Sequence, residues 1–152
     1  MIRQTFHLPK YDWTVRVYYA VTSFYVDEIM DNLERIGCRG KNLRKAHRSL
    51  LAGKLDSGIT YSDYDIGRTV IVLDLTSSSK EFLKSLHHET GHLAEHIAKA
   101  FGMDPRGEEI QYLGDDIMEE MWPVARHFLC EDCREDVIRK GLWRKISRLK
   151  HA

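Results

Sequence analysis

The alternation of apolar and polar residues predicts three β-strands. The first strand of the chain is predicted over residues 13–21, which are rich in β-branched and aromatic side chains. Residues 58–62 predict a short second strand, and residues 69–75, the most strongly strand-like segment, predict a third. A turn-like segment that ends in Gly67 separates the last two strands. We therefore expect these two strands to form a β-hairpin.

Apolar residues recur at helical spacing between the first strand and the hairpin. Residues 27–36 predict a short amphipathic helix that stops at Gly37, and residues 41–52 predict a second helix that stops at Gly53. The outward face of the second helix is basic, with Lys41, Arg44, Lys45 and Arg48. Such a face could contact nucleic acid, but basic side chains on exposed helix faces are usually only solvated. Nucleic acid is therefore the weaker interpretation.

The longest predicted helix follows the hairpin. Ser78 and Glu81 are three residues apart and fit a capping box at its start, and Gly102 fits its end. An apolar stripe at helical spacing is expected to be buried and consists of Phe82, Leu86, Leu93, Ile97 and Phe101.

The remainder of the chain is predicted to be helical. Asp104 as N-cap and Pro105 at the first helical position would begin a helix that the Trp-Pro dipeptide ending at Pro123 breaks. Residues 124–139 predict another helix. Residues 142–149 predict a last amphipathic helix, which could dock on a protein partner but which we expect to pack on its own domain.

These elements predict an α+β fold in which a small, mainly antiparallel sheet packs on the longest helix and the C-terminal half is helical. A chain of 152 residues with 43% hydrophobic residues is suited to one globular domain, residues 1–152. Within it, residues 1–57 hold the first strand and two helices, residues 58–121 hold the hairpin and the longest helix, and residues 122–152 hold the C-terminal helices.

The composition limits which partners and which cellular compartment we expect for the protein. The formal net charge is zero, which gives no global reason to expect nucleic acid or a charged membrane surface as a partner. Three cysteines are too few for a disulfide framework. The first residues do not resemble a signal peptide, and no apolar run approaches the ~20 residues of a membrane span. We expect a cytoplasmic protein without a membrane partner.

One motif within the longest predicted helix is typical of a metal-binding site. His88, Glu89 and His92 form a His-Glu-x-x-His pattern. Residues four apart lie on one face of a helix, so two neutral imidazoles can bind one divalent ion. The glutamate next to the first histidine can then act as general base toward a water on that ion. The competing interpretation is a polar helix face that happens to carry histidines.

A catalytic zinc site needs a third protein ligand. Glu108 and Glu109 open the helix that follows the longest one, and a short connection between antiparallel helices would bring them toward the motif. A carboxylate in the first turn of a helix is also favoured by the helix macrodipole alone. Both interpretations of these glutamates remain open.

The motif, a glycine-containing turn and the sequence EEIQYL at 108–113 together resemble the gluzincin class of zincin-like metallopeptidases, above all its small bacterial and phage-encoded members. The resemblance covers roughly residues 58–121. It implies that His88 and His92 bind Zn²⁺ and that Glu89 polarises the attacking water. Carried across by position, the third ligand is Glu108, which lies four residues before Tyr112 in the sequence, with Glu109 as the second choice.

The same resemblance implies a substrate strand and an oxyanion donor. The strand over residues 69–75 would lie alongside an extended substrate. Tyr112 is the candidate for the group that stabilises the oxyanion, with Tyr61 and Tyr64 as alternatives. The chain departs from the family at His87, where most members have an apolar residue.

Other histidines and cysteines are weaker candidates for metal ligands. His96 continues the series of every fourth residue, but it lies ~12 Å along the helix from His88, too far to share an ion whose bonds to nitrogen are about 2.0 Å. Cys130 and Cys133 form a Cys-x-x-Cys pair close to His127, with Cys38 as a distant fourth candidate. We expect a pair of ordinary reduced cysteines there.

The predicted function is a zinc-dependent hydrolase, specifically a metallopeptidase that acts on a peptide or protein. The alternative is a catalytically inactive zinc-binding accessory protein of a phage or mobile element, which would act by binding another protein or, less readily, nucleic acid. Both functions require Zn²⁺ at His88 and His92, but only the first requires Glu89 as a base.

Overall fold

The computed structural model describes residues 1–140, and the helix predicted over residues 142–149 lies outside them. In chain order the elements are β1 (Ile2–Leu8), β2 (Trp13–Val21), α1 (Val26–Arg35), α2 (Gly40–Ala52), β3 (Gly58–Asp63), β4 (Arg68–Asp74), α3 (Ser79–Phe101), α4 (Glu108–Ala125) and α5 (131–140). Short 3₁₀ turns lie at Pro9–Tyr11, Ser23–Tyr25 and Arg126–Phe128.

The four strands form one mixed sheet in the order β1-β2-β4-β3. β1 is antiparallel to β2, β2 is parallel to β4, and β3 is antiparallel to β4. The predicted hairpin is therefore confirmed, with Gly58 opposite Leu73 and Asp63 opposite Arg68. The α+β class is confirmed as well. β3 lies at one edge of the sheet, whereas β4 is paired on both sides.

The strand predicted as the first of the chain is in fact the second, because the sequence pattern misses β1. Only Phe6 and Leu8 of β1 are buried, so its own hydrophobic alternation is weak. Its strand conformation is held by the regular antiparallel ladder to β2, which runs from Ile2 opposite Tyr19 to Leu8 opposite Trp13. Such pairing is a long-range property that a local pattern does not contain.

Helices cover both faces of the sheet. Side chains alternate along a strand, so Val17 of β2 points into a core formed with α3 and α4, while Tyr18 points into a second core formed with α1 and α2. In β4, Ile71 and Val72 divide in the same way. Burial on both faces explains why β2 and β4 read as nearly continuous apolar runs.

The longest helix, α3, has the predicted boundaries. The Ser78 hydroxyl accepts a hydrogen bond from the Glu81 amide at 3.2 Å, and Gly102 ends the helix in the left-handed conformation with φ of 65°. The predicted stripe is buried except for Phe101, which is 52% exposed and contacts the Tyr11 ring edge-on. No helix among residues 1–140, α3 included, is long and apolar enough to cross a membrane.

The predicted boundaries of α4 are wrong at both ends. The Asp104 carboxylate accepts a hydrogen bond from the Arg106 amide at 2.9 Å and closes a turn, so the helix begins only after Gly107. At the other end, α4 continues through Pro123 to Ala125, because the buried Met121 and Ala125 anchor that last turn in the core. The single helix predicted over residues 124–139 is consequently divided, and α5 occupies only its later part.

Candidate functional site

The imidazoles of His88 and His92 contact each other at the surface of α3, where one ring nitrogen hydrogen-bonds to the other. Their Nε2 atoms lie 3.0 Å apart, and the two rings are perpendicular with centroids 4.6 Å apart. Two nitrogens bound to one tetrahedral zinc ion at 2.0–2.1 Å would lie about 3.3 Å apart. His88 is exposed and His92 is half-buried, so the pair is accessible. The spacing of the two nitrogens therefore suits a shared metal ion.

Glu89 lies on a different side of the same helix turn. It is only 2% exposed, and its carboxylate is directed at the edge strand β3. The Ser57 hydroxyl donates to one carboxylate oxygen at 2.7 Å, and the Thr60 hydroxyl donates to the other at 2.9 Å. The sequence alone gives no sign of these two donors, because they precede Glu89 by about thirty residues. They fix the orientation of a buried carboxylate that would otherwise be costly to bury.

Gly58 makes the close approach of α3 to β3 possible. It has φ of 154°, and a Cβ atom there would lie 2.9 Å from Glu89 Cγ and would overlap the Val72 carbonyl oxygen. Only glycine fits at this position. A glycine at the start of a predicted strand was the one signal in the sequence that could have pointed to this contact.

His96 takes part in a hydrogen-bond chain that enters the core. Its Nδ1 lies 2.7 Å from the Ser62 hydroxyl, which lies 2.7 Å from the Thr69 hydroxyl. The Thr69 hydroxyl accepts a hydrogen bond from the Trp13 indole at 2.8 Å. Burial lowers the pKa of His96, and the neighbouring His92 lowers it further. These contacts hold His96 against β3, one helix turn from His92.

Glu108 and Glu109 have other partners in this structure. Glu108 accepts a hydrogen bond from the Tyr112 hydroxyl at 3.2 Å, and Glu109 lies 3.8 Å from the Lys10 ammonium. Within residues 1–140, no group of three or more His, Cys, Asp or Glu side chains is arranged to hold a metal ion. The described part of the chain thus places His88 and His92 together, and their role as metal ligands and the assignment of the third ligand that a catalytic zinc site uses stay predictions.

The three candidate oxyanion donors lie in different surroundings. The Tyr61 hydroxyl donates to the Gly37 carbonyl at 3.3 Å, on the face of the sheet that α1 and α2 cover. Tyr112 is bonded to Glu108 on α4. The Tyr64 ring lies with its centroid 5.6 Å from that of His96. Tyr64 is therefore the candidate that the fold brings beside His96 of α3.

No family model, curated protein or solved structure matches this chain. The site must be interpreted from its own geometry. That geometry comprises two imidazoles in contact on α3, a buried carboxylate one residue away that accepts two hydrogen bonds, and an edge strand against that carboxylate.

Within residues 1–140, Cys38 does not lie near Cys130 and Cys133. Cys38 is 2% exposed and belongs to the core on the α1 and α2 face of the sheet, whereas Cys133 packs against the core on the α3 and α4 face. The sheet separates them, so Cys38 cannot complete a set of ligands with Cys130 and Cys133.

Proposed function

We propose that this chain is a zinc-dependent hydrolase of the zincin-like, gluzincin type that cleaves peptide bonds. His88 and His92 are its metal ligands, and Glu89 is its general base. The observation that carries the proposal is the 3.0 Å separation of the two Nε2 atoms, one residue away from a buried carboxylate. Neutral imidazole nitrogens are preferred zinc ligands, and two on one helix need no long-range rearrangement to share an ion.

Zinc, when bound, would lower the pKa of its water to about 7 and polarise the substrate carbonyl. Glu89 is proposed as the base because it follows His88 directly in the motif, and the Ser57 and Thr60 hydroxyls hold its two oxygens in one orientation. A base that is held in one orientation loses little entropy when it accepts the proton of the water. The same carboxyl group would then deliver that proton to the leaving amine.

The substrate would lie along β3 and not along the strand over residues 69–75 that the sequence suggests. β4, which contains most of that segment, is paired with β2 and β3, so its backbone groups are already used. β3 forms the edge of the sheet in the described part of the chain, and Glu89 contacts it directly. An extended peptide could add to such an edge by main-chain hydrogen bonds.

Glu108 remains the first choice for the third ligand and Glu109 the second. Both side chains are exposed, and the Lys10 contact of Glu109 is a long surface ion pair. Pairs of this kind hold a side chain only weakly. The contact with Lys10 therefore does not prevent Glu109 from binding a metal ion.

Metal content and peptidase activity of the full chain test the proposal. We expect zinc to bind to the wild type and to be lost in His88→Ala and His92→Ala, while the exposed His47 on α2 provides a matched control in His47→Ala. Glu89→Gln should keep the metal but lose peptide cleavage by about 10²- to 10⁴-fold. Glu108→Gln and Glu109→Gln should differ in zinc affinity, and the weaker one identifies the third ligand. A wild type without zinc, or Glu89→Gln with full activity, refutes the proposal.

A second function is supported by one observation. Glu89 is almost fully buried, with both carboxylate oxygens bonded to hydroxyls, as in a carboxylate whose role is to join α3 to β3. On that basis the chain would bind zinc through His88 and His92 and act as an accessory protein that contacts a protein partner. Zinc binding without cleavage of any peptide in a diverse peptide library would favour this function.

A further inference from the structure

Cys130 and Cys133 lie at the start of α5, away from the histidines of α3. The Cys130 carbonyl accepts a hydrogen bond from the Arg134 amide at 3.0 Å, so Cys130 is the residue that begins the helix. Its amide donates to the Ser79 hydroxyl at 2.7 Å, which ties this helix start to the first turn of α3. Cys130 is exposed, and Cys133 is half-buried. An exposed thiol and a half-buried thiol therefore lie within one turn of each other at the start of α5.

Cys133 and Ser79 are the polar neighbours of the Cys130 thiol. The Cys133 amide and thiol, followed by the Ser79 hydroxyl, hold the pKa of Cys130 below its usual range. Because the Ser79 oxygen accepts from the Cys130 amide, its own proton is available for the sulfur. The hydrogen bond to Cys130 and burial raise the pKa of Cys133. Cys130 thus has the lowered pKa of a nucleophilic cysteine, and Cys133 has the raised pKa of a resolving cysteine.

The backbone around the pair is held in place. The Arg134 Nε donates to the Arg126 carbonyl at 2.7 Å and to the Leu129 carbonyl at 3.0 Å, which closes the turn before Cys130. The Cα atoms of residues three apart on a helix lie about 5 Å from each other, within the Cα–Cα range of about 4.4 to 6.8 Å that a disulfide spans. The backbone spacing of Cys130 and Cys133 therefore permits a bond between the two sulfurs.

We propose that Cys130 and Cys133 are a redox-active dithiol that exchanges with low-molecular-weight disulfides such as glutathione disulfide. The Cys130 thiolate attacks one sulfur of glutathione disulfide, forms a mixed disulfide and releases one glutathione thiolate. Cys133 then loses its proton and attacks the Cys130 sulfur, which forms the internal disulfide and releases the second glutathione. The protein loses two electrons and two protons, and the glutathione disulfide is reduced to two thiols.

Thiol trapping on the full chain tests this proposal. The protein is equilibrated with mixtures of reduced and oxidised glutathione in the presence of a metal chelator, quenched with acid, alkylated and mapped by mass spectrometry. We expect an internal disulfide between Cys130 and Cys133, while Cys38, which is 2% exposed, stays a thiol and serves as the internal control. Cys38→Ser should give the same result as the wild type.

Single variants separate the two roles. In Cys133→Ser the mixed disulfide with glutathione should accumulate on Cys130, because the resolving thiol is absent. Cys130→Ser should react with glutathione disulfide many-fold more slowly. Ser79→Ala should slow the alkylation of Cys130 several-fold at neutral pH, because one donor to the thiolate is lost. If glutathione accumulates on wild-type Cys130 without an internal disulfide, or if the two single Cys variants react at equal rates, the proposal is wrong.

Discussion

The carboxylate-bearing side chain of Glu89 rests directly on the backbone of Gly58, where a Cβ atom would lie only 2.9 Å from Glu89 Cγ. This contact joins the helix of the candidate site to the edge strand of the sheet. It fixes how far α3 stands from β3, and it brings the Ser57 and Thr60 hydroxyls within reach of the carboxylate. The geometry around Glu89 therefore depends on Gly58, a residue that has no side chain.

Gly58→Ala should destabilise the protein by about 3 kcal/mol, because the new methyl group overlaps a backbone carbonyl and the backbone has φ of 154°. The free energy of unfolding in urea measures the change. Gly114→Ala is the matched control: it lies within α4, and nothing is within 4 Å of the added Cβ. That variant should stabilise the protein by about 0.5 to 1 kcal/mol. Equal effects of the two substitutions would contradict the close contact.

Thr60→Val should cost about 1 to 3 kcal/mol, since it leaves a nearly buried carboxylate with one donor fewer. In a Glu89→Gln background the same substitution should cost less, because an amide is easier to bury than a carboxylate. Unfolding free energies of the wild type, the two single variants and the double variant form a double-mutant cycle. A coupling energy of zero would mean that the hydroxyl does not support Glu89.

Zinc should raise the thermal stability of the protein, and a chelator should reverse the increase. A ligand that binds only the folded state adds about 2.7 kcal/mol at a free concentration one hundred times its dissociation constant. Acid should weaken the effect, because both imidazoles must be neutral to bind the ion. Calorimetric scans with and without zinc measure it, with His92→Ala as the variant that should not respond. A zinc response that survives in His92→Ala would place the metal elsewhere.

The stability of the protein should fall in alkali because of Tyr19. This side chain is fully buried, its hydroxyl donates to the Gln4 side chain at 2.6 Å, and burial raises its pKa far above the usual range. The unfolded chain loses the phenol proton near pH 10, whereas the folded chain retains it. Tyr19 therefore contributes full stability below about pH 10 and loses that contribution as the pH rises further.

Urea unfolding of the wild type and Tyr19→Phe between about pH 9 and pH 11 checks this dependence. The variant should be less stable at the lower pH, because the bond to Gln4 is lost, but its stability should fall less steeply with pH. Burial also raises the pKa of Tyr61 and Tyr64, so a smaller slope remains. Parallel slopes would exclude Tyr19 as the titrating group.

Several local features of the fold could be predicted from the sequence. The pattern of apolar residues located β2 and the β3–β4 hairpin, and the capping residue Ser78 and the stop at Gly102 bounded α3. The prediction from the sequence failed where the rest of the fold overruled a local signal. Asp104 looks like a helix cap but closes a turn, and Pro123 looks like a helix breaker but lies inside α4.

For the candidate site, the sequence by itself determined the spacing of His88 and His92, because four residues on a helix place two side chains on one face whatever surrounds them. Only the tertiary structure decided that Glu89 is buried, that Ser57 and Thr60 hold it, and that Gly58 permits the contact. Helical periodicity is a local property of consecutive residues. The partners of Glu89 depend on how α3 docks on the edge of a sheet whose strand order no local pattern contains.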